Sequence, residues 1–333
     1  MDFRVTEDQE ALREGVRSFC DGRVPFEQLS ALAEAGGVDR DLWRELAELG
    51  VFGLRLPEAD GGVGLGSAEA VLVFAELGRR LVPGPLVWSH LAAGLVEGAA
   101  SGEAVVGGLD RVRGDAEPLL VEHLPALDAL VVLRRHGVFR VDPKALAAQP
   151  VGVPTDPLTP LCHVASLPEG ERLGGAEEAA RLRRDGAALA AALQLGIAEE
   201  TLALSVEYAK GREQFGRPIG GFQALKHMMA DMFVRLEKAR AAVYAAGATL
   251  DDPEVGDVDR AVAAAKLCAD RAAERNARDG VQIHGGMGFT WEMPPHWYLK
   301  RAWVLERVFG DADEHAGTVA ARLDAEHAAG RAA

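Results

Sequence analysis

The most informative part of the chain is Gly211-Arg212-Glu213-Gln214-Phe215-Gly216-Arg217-Pro218-Ile219, followed by Phe222-Gln223. It lies between two alanine-rich segments whose apolar residues have helical spacing, so we predict a loop between two long helices. The loop places a fixed cation, an amide and an aromatic ring at Arg212, Gln214 and Phe215. A guanidinium can hold a diphosphate bidentately, and loop N–H groups can add to that grip. The alternative is an ordinary surface loop with a solvated arginine.

A second informative stretch is Gln282-Ile283-His284-Gly285-Gly286-Met287-Gly288-Phe289-Thr290. Its glycines allow the backbone to approach a ligand closely, and Gln282 offers both a hydrogen-bond donor and an acceptor. The alternative is a flexible turn between helices. His284 alone is more typical of a structural histidine than of a base or a metal ligand, and no second ligand has a suitable spacing. We therefore predict no metal site.

The sequence pattern of residues 1 to about 100 predicts helices. Thr6-Glu7-Asp8-Gln9 has the form of a capping box, and Gly50 marks a helix end. Another helix is predicted from Ala68 through Leu77. The stretch Gly61-Gly62-Val63-Gly64-Leu65-Gly66 could be a nucleotide loop, but no strand precedes it, so we predict a plain loop.

The chain is helical again from about residue 175. One helix is predicted from Ala187 to Lys210, and another from Val258 to Asp279, closed by Gly280. A last pair is predicted from Pro294 to Val308 and from Asp313 to the end. An apolar stripe, most simply the seam of a bundle, is formed by Phe222, Leu225, Met229, Met232 and Leu236.

The sequence pattern in the middle of the chain predicts a small β region. Short β-prone runs occur at Leu119–Val121, Ala129–Leu133 and Val138–Val141, and His136-Gly137 suggests a hairpin. The predicted fold is therefore mainly α with a small β insert. Its predicted domains are an N-terminal helical domain at 1–104, a reduced β domain at 105–172 and a C-terminal helical bundle at 173–333.

Bulk properties exclude several classes of protein. The net charge of -15 argues against a nucleic-acid surface or a binder of anionic membranes. Three widely separated cysteines form no disulfide or metal pattern, which is typical of a reducing cytoplasm. The first residues, Met1 to Arg4, lack the apolar core of a signal peptide. No window approaches ~18 uninterrupted apolar residues, so we predict no membrane span.

In their order and separation, the two informative stretches resemble the acyl-CoA dehydrogenase family. Further matching positions are Leu46-Ala47-Glu48-Leu49-Gly50-Val51, Pro57-Glu58, Gly61-Gly62, Gly64 and Glu76-Leu77-Gly78-Arg79. The resemblance covers roughly residues 1–100 and 175–310. It implies an N-terminal helical domain, a middle β domain and a C-terminal four-helix bundle, usually assembled as a dimer of dimers. FAD in such proteins lies at the dimer interface, so one subunit supplies groups to its neighbour's cofactor.

The resemblance assigns six residues to the grip on the adenine-diphosphate half of a neighbour's FAD. These residues are Arg212, Gln214, Phe215, Gln282, Gly285 and Gly286. Gln223 lies at the matching helix start.

The positions that carry catalysis in the family are changed. The family's catalytic glutamate falls on Phe309, the following glycine is kept as Gly310, and the next flavin-contacting hydroxyl position becomes Asp311. In members that place the base on the helix before the arginine loop, the equivalent position is Gly186. Neither Phe309 nor Gly186 can remove the α-proton of an acyl thioester. The middle region also lacks the family's Thr-Glu-Pro and Gly-Ser-Asp segment, which contacts the flavin ring.

Three functions follow from these matches and departures. The first is an FAD-binding, non-catalytic subunit of a heteromeric acyl-CoA dehydrogenase that desaturates a bulky acyl-CoA thioester. It resembles the short subunit of α2β2 actinobacterial enzymes of the sterol side-chain type. Its partner would be a homologous full-length subunit, with electron-transfer flavoprotein as the expected acceptor. The second is a self-sufficient homomeric dehydrogenase with Asp185 or Asp311 as base, and the third is a flavin-free scaffold.

Overall fold

A computed structural model describes residues 5–114 and 119–332 of the chain. Residues 1–4, on which the expectation about a signal peptide rests, lie outside the described residues. The α-helices are α1 (Glu7–Arg23), α2 (Leu29–Glu34), α3 (Arg40–Glu48), α4 (Ser67–Arg79), α5 (Leu86–Ala92), α6 (Ala176–Gly211), α7 (Gln223–Asp251), α8 (Val258–His284), α9 (Pro295–Leu305) and α10 (Ala312–Ala332). The strands are β1 (Val106–Arg111), β2 (Leu119–Glu122), β3 (Ala129–Arg134), β4 (Gly137–Val141), β5 (Ala148–Pro150), β6 (Leu161–Val164), β7 (Glu171–Gly174), β8 (Glu213–Gln214) and β9 (Arg217–Pro218). The predicted fold class, mainly α with a small β insert, is confirmed.

The chain divides into two compact units. One comprises Met1–Asp21, Val71–Val82 and Ala187–Ala333, and the other comprises Gly22–Ala70 and Pro83–Gly186. The three-domain division at residues 104 and 172 stays a prediction.

The second unit contains the β insert. A four-stranded sheet has the order β1-β3-β4-β7, and a three-stranded sheet has the order β2-β6-β5. The predicted hairpin is confirmed, because β3 and β4 pair antiparallel with Arg134 opposite Gly137. Strand β1 was not among the predicted β-prone runs; it pairs parallel with β3 and contains Gly107-Gly108. Gly108 lies against the Trp88 ring, where an added Cβ would come within 2.2 Å of a ring carbon.

The first unit is helical and holds two helices in backbone contact. A Cβ added at Gly196 on α6 would lie 1.9 Å from the carbonyl oxygen of Ala75 on α4. One at Gly78 would lie 2.1 Å from the carbonyl oxygen of Leu193. The buried Arg79 guanidinium beside this crossing donates to Glu76 at 2.9 Å and to Glu200 at 3.1 Å. Glycine at these positions therefore permits a helix contact that a larger residue would separate.

Local signals at helix ends are mostly confirmed. Thr6 N donates to Gln9 Oε1 at 3.0 Å and Gln9 N donates to Thr6 Oγ1 at 3.2 Å, which is a reciprocal capping box. Gly50 follows α3 with a φ of 85°. The prediction that Gly280 closes a helix is wrong, because α8 continues to His284. Gly280 instead gives room to the Ser205 hydroxyl, which an added Cβ would approach to 3.3 Å.

Helix α6 begins at Ala176, in agreement with the helical character predicted from about residue 175, whereas α9 ends earlier than predicted, at Leu305. Among the described helices, α6 alone is long and apolar enough by length and composition to cross a membrane. Its most apolar stretch is 78% buried inside the protein, which is typical of the core helix of a globular unit.

His90 on α5 gives a pH-dependent prediction. Its Nδ1 lies 2.9 Å from the Val51 carbonyl oxygen, and burial lowers its pKa to about 4. An unfolded histidine binds a proton near pH 6.5, so stability should fall as the pH drops from 6.5 through 4. Between pH 7 and pH 4, the free energy of unfolding should fall by about 3 kcal/mol more in the wild type than in His90→Asn. Urea unfolding of both proteins between pH 7 and pH 4 measures this difference. If the free energies of unfolding of the two proteins changed in parallel with pH, the prediction would be contradicted.

Candidate functional site

The two informative stretches come together in the structure. They line one open cavity of about 590 Å³, between the ends of α6 and α8 and the start of α7. All six residues assigned from the sequence line this cavity: Arg212, Gln214, Phe215, Gln282, Gly285 and Gly286. Gln223, at the start of α7, is absent from the lining residues that the structure describes.

The arginine loop is closed by its own backbone. Arg212 N donates to the Tyr208 carbonyl at 2.9 Å, and Ile219 N donates to the Arg212 carbonyl at 2.7 Å. Strands β8 and β9 pair antiparallel between these two bonds. The Arg212 side chain is exposed and has no ion pair or hydrogen bond within residues 5–114 and 119–332. Its backbone is therefore fixed while its guanidinium donors remain available to a ligand.

Phe215 lies at the tip of this loop in a strained conformation. Its φ is 54° and that of Gly216 is 76°, and its side chain is 92% exposed. A left-handed conformation costs a bulky residue about 1–3 kcal/mol. Its ring makes an edge-on contact with Phe222 at 6.1 Å between centroids. An exposed aromatic ring in a strained turn is typical of a residue that a ligand or another chain covers.

The glycine stretch leaves bare backbone at the cavity. Helix α8 ends at His284 and is followed by Gly285, whose φ of 58° and ψ of -139° favour glycine. A Cβ added at Gly285 or Gly286 would meet nothing within 4 Å, so both residues face open space. Gly288 differs, because a Cβ there would lie 2.5 Å from the Val281 carbonyl oxygen. Gly285 and Gly286 therefore suit the close approach of a ligand, and Gly288 is needed for the turn itself.

Two cavity residues with polar side chains, Tyr208 and His284, were not assigned to a ligand site from the sequence. Tyr208 and His284 stack with their ring centroids 4.1 Å apart and their planes 24° from parallel. Burial lowers the pKa of His284, so its imidazole is neutral at pH 7. No motif marks Tyr208; its position one helical turn before Arg212 was the available signal.

The charge of the cavity suits an anion. Among the described residues that line it, Arg212 supplies a positive charge and none is an aspartate or glutamate. Gln214 and Gln282 add amide groups, which can donate as well as accept. A diphosphate would find a bidentate donor here without a competing carboxylate.

The predicted base positions carry no titratable group. Phe309 is 1% exposed with a φ of 58°, and its carbonyl accepts a hydrogen bond from His315 Nε2 at 3.1 Å. The neighbouring Asp311 accepts from Glu314 N at 3.0 Å and so caps α10.

Asp185, beside Gly186, is a buried member of an ion-pair cluster. It accepts from Arg55 Nη2 at 2.9 Å and from Arg181 Nη1 at 3.2 Å. Both carboxylates that could have acted as a relocated base therefore hold structural partners. No group of three or more His, Cys, Asp or Glu side chains within the described chain could hold a metal ion.

Two family models match the chain over most of its length. The N-terminal domain of acyl-CoA dehydrogenases matches residues 6–102, and the C-terminal domain matches residues 179–323. The chain belongs to the acyl-CoA dehydrogenase family, whose members are FAD-dependent oxidoreductases.

Individual relatives agree with this assignment. Acyl-CoA dehydrogenase IpdE2 of Mycobacterium tuberculosis is 36% identical, over 89% of this chain and 91% of IpdE2. A chain of the ChsE4-ChsE5 complex from Mycobacterium tuberculosis is 28% identical, with a TM-score of 0.84 over 97% of this chain and 99% of that one. A chain of the Tcur3481-Tcur3483 steroid ACAD is 26% identical, with a TM-score of 0.83 over 98% of this chain and 100% of that one.

Proposed function

We propose that this chain is an FAD-binding, non-catalytic subunit of a heteromeric acyl-CoA dehydrogenase. The complex would perform α,β-desaturation of a bulky acyl-CoA thioester. One observation carries the proposal: the cavity around Arg212 keeps its donors, while position 309 holds a buried phenylalanine. Similarity to chains of the ChsE4-ChsE5 complex and of a steroid ACAD built from two named components supports both the partner and the bulky substrate.

The residues of the cavity fit the adenine-diphosphate half of FAD. Arg212 would pair with the diphosphate, and the bare backbone at Gly285 and Gly286 would lie against it. The amides of Gln214 and Gln282 would complete the polar contacts, and Phe215 would be covered. When bound, FAD supplies the acceptor for the hydride that leaves the β-carbon of the acyl group. This chain would orient the cofactor, and its partner would supply the flavin-ring site and the base.

A homomeric enzyme with a relocated base is less well supported. To act as a base, Asp185 would have to give up its ion pairs with Arg55 and Arg181. Asp311 would have to give up the cap of α10. A flavin-free scaffold does not explain why one cavity is lined both by bare glycine backbone and by an arginine that has no ion pair among the described residues.

Expression of the chain alone and together with full-length acyl-CoA dehydrogenases from the same genome tests the proposal. We expect a colourless or weakly flavinated chain alone, and a yellow α2β2 complex that is bleached by an acyl-CoA. The visible spectrum and the native mass report both properties. An FAD-saturated homo-oligomer bleached by acyl-CoA would instead establish the homomeric enzyme, and a colourless complex would establish the scaffold. Electron-transfer flavoprotein is the acceptor to supply when turnover is measured.

A further inference from the structure

His284 is a buried residue with one ring nitrogen committed to the protein. Its side chain lines the cavity, and the residue is 4% exposed. Nδ1 lies 2.8 Å from the Gly280 carbonyl oxygen, one helical turn earlier. Because a carbonyl oxygen can only accept, Nδ1 carries the proton in this bond. In the neutral imidazole, Nε2 then carries a lone pair and acts as an acceptor.

The imidazole is held in one orientation. Tyr208 stacks on its face at 4.1 Å, and the Nδ1 bond prevents rotation about the ring axis. The lowered pKa of His284, which results from burial, keeps the ring neutral near pH 7. No hydrogen bond to Nε2 occurs within the part of the chain that the structure describes. A preorganised acceptor is therefore available in the same cavity as the Arg212 cation.

An acceptor at this place distinguishes ligands in a way that Arg212 cannot. The Arg212 guanidinium can bind any diphosphate. A deprotonated diphosphate has no hydrogen-bond donor, so it cannot donate to the lone pair of His284 Nε2. The donors of an adenosine diphosphate group are its adenine amino group and its ribose hydroxyls. A neutral hydrogen bond contributes about 0.5–1.5 kcal/mol, or roughly two- to tenfold in affinity.

We propose that His284 Nε2 accepts a hydrogen bond from an amino or hydroxyl donor of the adenosine half of the bound dinucleotide. Tyr208 is the positioning residue that keeps the imidazole in this orientation. The site thereby selects an adenosine diphosphate group over other diphosphates. This inference rests on the proposed FAD function.

The test uses the purified complex after removal of its flavin, with His284→Phe as the main variant. Phenylalanine keeps a planar ring that can stack on Tyr208 and removes both ring nitrogens. We expect FAD to bind roughly three- to tenfold more weakly to this variant. Thermal unfolding of the variant beside the wild type shows whether the fold is retained.

Nucleotide analogues identify the donor. The probes are ADP, 2′-deoxy-ADP, 3′-deoxy-ADP and the purine riboside diphosphate that lacks the amino group. The wild type should prefer ADP over one analogue by roughly three- to tenfold, and His284→Phe should lose that preference. Tyr208→Phe keeps the stacked ring and should retain the preference for ADP, whereas Tyr208→Ala should reduce that preference. A merely structural role for His284 would leave discrimination among the analogues unchanged.

Unchanged FAD affinity in His284→Phe, or the same analogue preference in both proteins, would overturn the inference. Its failure is separable from failure of the proposed function. If Arg212→Ala loses FAD while His284→Phe binds FAD with unchanged affinity, only the proposed role of His284 is wrong. If neither variant affects FAD, the cavity is not a flavin site.

Discussion

Replacing Arg212 by alanine is expected to weaken FAD binding to the complex by about two orders of magnitude. The wild-type guanidinium is exposed in the cavity and has no partner within the described chain, so its donors are available to a diphosphate. Loss of one member of a hydrogen-bonded charge pair costs about 2–5 kcal/mol, which corresponds to roughly thirty- to several-thousandfold. Flavin per complex after gel filtration, followed by FAD titration of the apo-complex, measures the loss.

Arg217 provides a matched control in the same loop. Its guanidinium lies 4.1 Å from the centre of the Phe222 ring, and it is absent from the described residues that line the cavity. Arg217→Ala removes the same charge and should retain most of the FAD. Arg212→Lys keeps the charge without the bidentate geometry, so we expect an intermediate affinity. Equal effects of Arg212→Ala and Arg217→Ala would mean that net charge alone attracts FAD.

Replacing Lys266 by methionine is expected to lower the free energy of unfolding by about 3–5 kcal/mol. Lys266 is fully buried and donates to Asp270 Oδ2 at 2.6 Å and to the Leu305 carbonyl at 3.0 Å. The variant leaves a buried carboxylate without its cation and the end of α9 without a donor. Burial already raises the pKa of Asp270 to about 6 despite the lysine. Loss of the lysine raises this pKa further and so favours the protonated carboxyl, which limits the loss of stability.

Urea unfolding of the full chain at pH 7 measures this effect. Lys238→Met, at an exposed position, is the control and should change the free energy of unfolding by less than about 0.5 kcal/mol. The double variant Lys266→Met/Asp270→Leu removes both charges and should be more stable than the single variant. A loss below about 1 kcal/mol in Lys266→Met would show that water or relaxation replaces the buried pair.

Sequence patterns predicted those parts of the fold that depend on near neighbours. The capping box at Thr6 and Gln9, the glycine at position 50 and the hairpin at Gly137 are each determined within a few residues. Gly280 was misread because its role is set by Ser205 on another helix. Strand β1 was missed because its two glycines leave room for side chains that pack on them. Leu127 packs on Gly107 and the Trp88 ring packs on Gly108, and no local sequence pattern reveals these contacts.

In the candidate site too, sequence patterns predicted some residues and missed those whose roles depend on distant parts of the chain. Arg212 and Gln282 belong to stretches whose composition indicates a ligand, and the cavity joins both. No motif marks Tyr208, because its importance depends on stacking with a histidine 76 positions later. The structural role of Asp185 was only partly visible in the sequence, since Arg181 lies four residues before it but Arg55 lies 130 residues away.

The exposed ring of Phe215 has a consequence in the cell for any copy of this chain that lacks the proposed partner. A strained, fully accessible aromatic residue is the kind of surface that chaperones and proteases recognise on unassembled chains. If the proposed assembly covers this ring, a copy without a partner is the one that displays it. Surplus chains would then be removed, and the abundance of this subunit would follow that of its partner without any regulation of its gene.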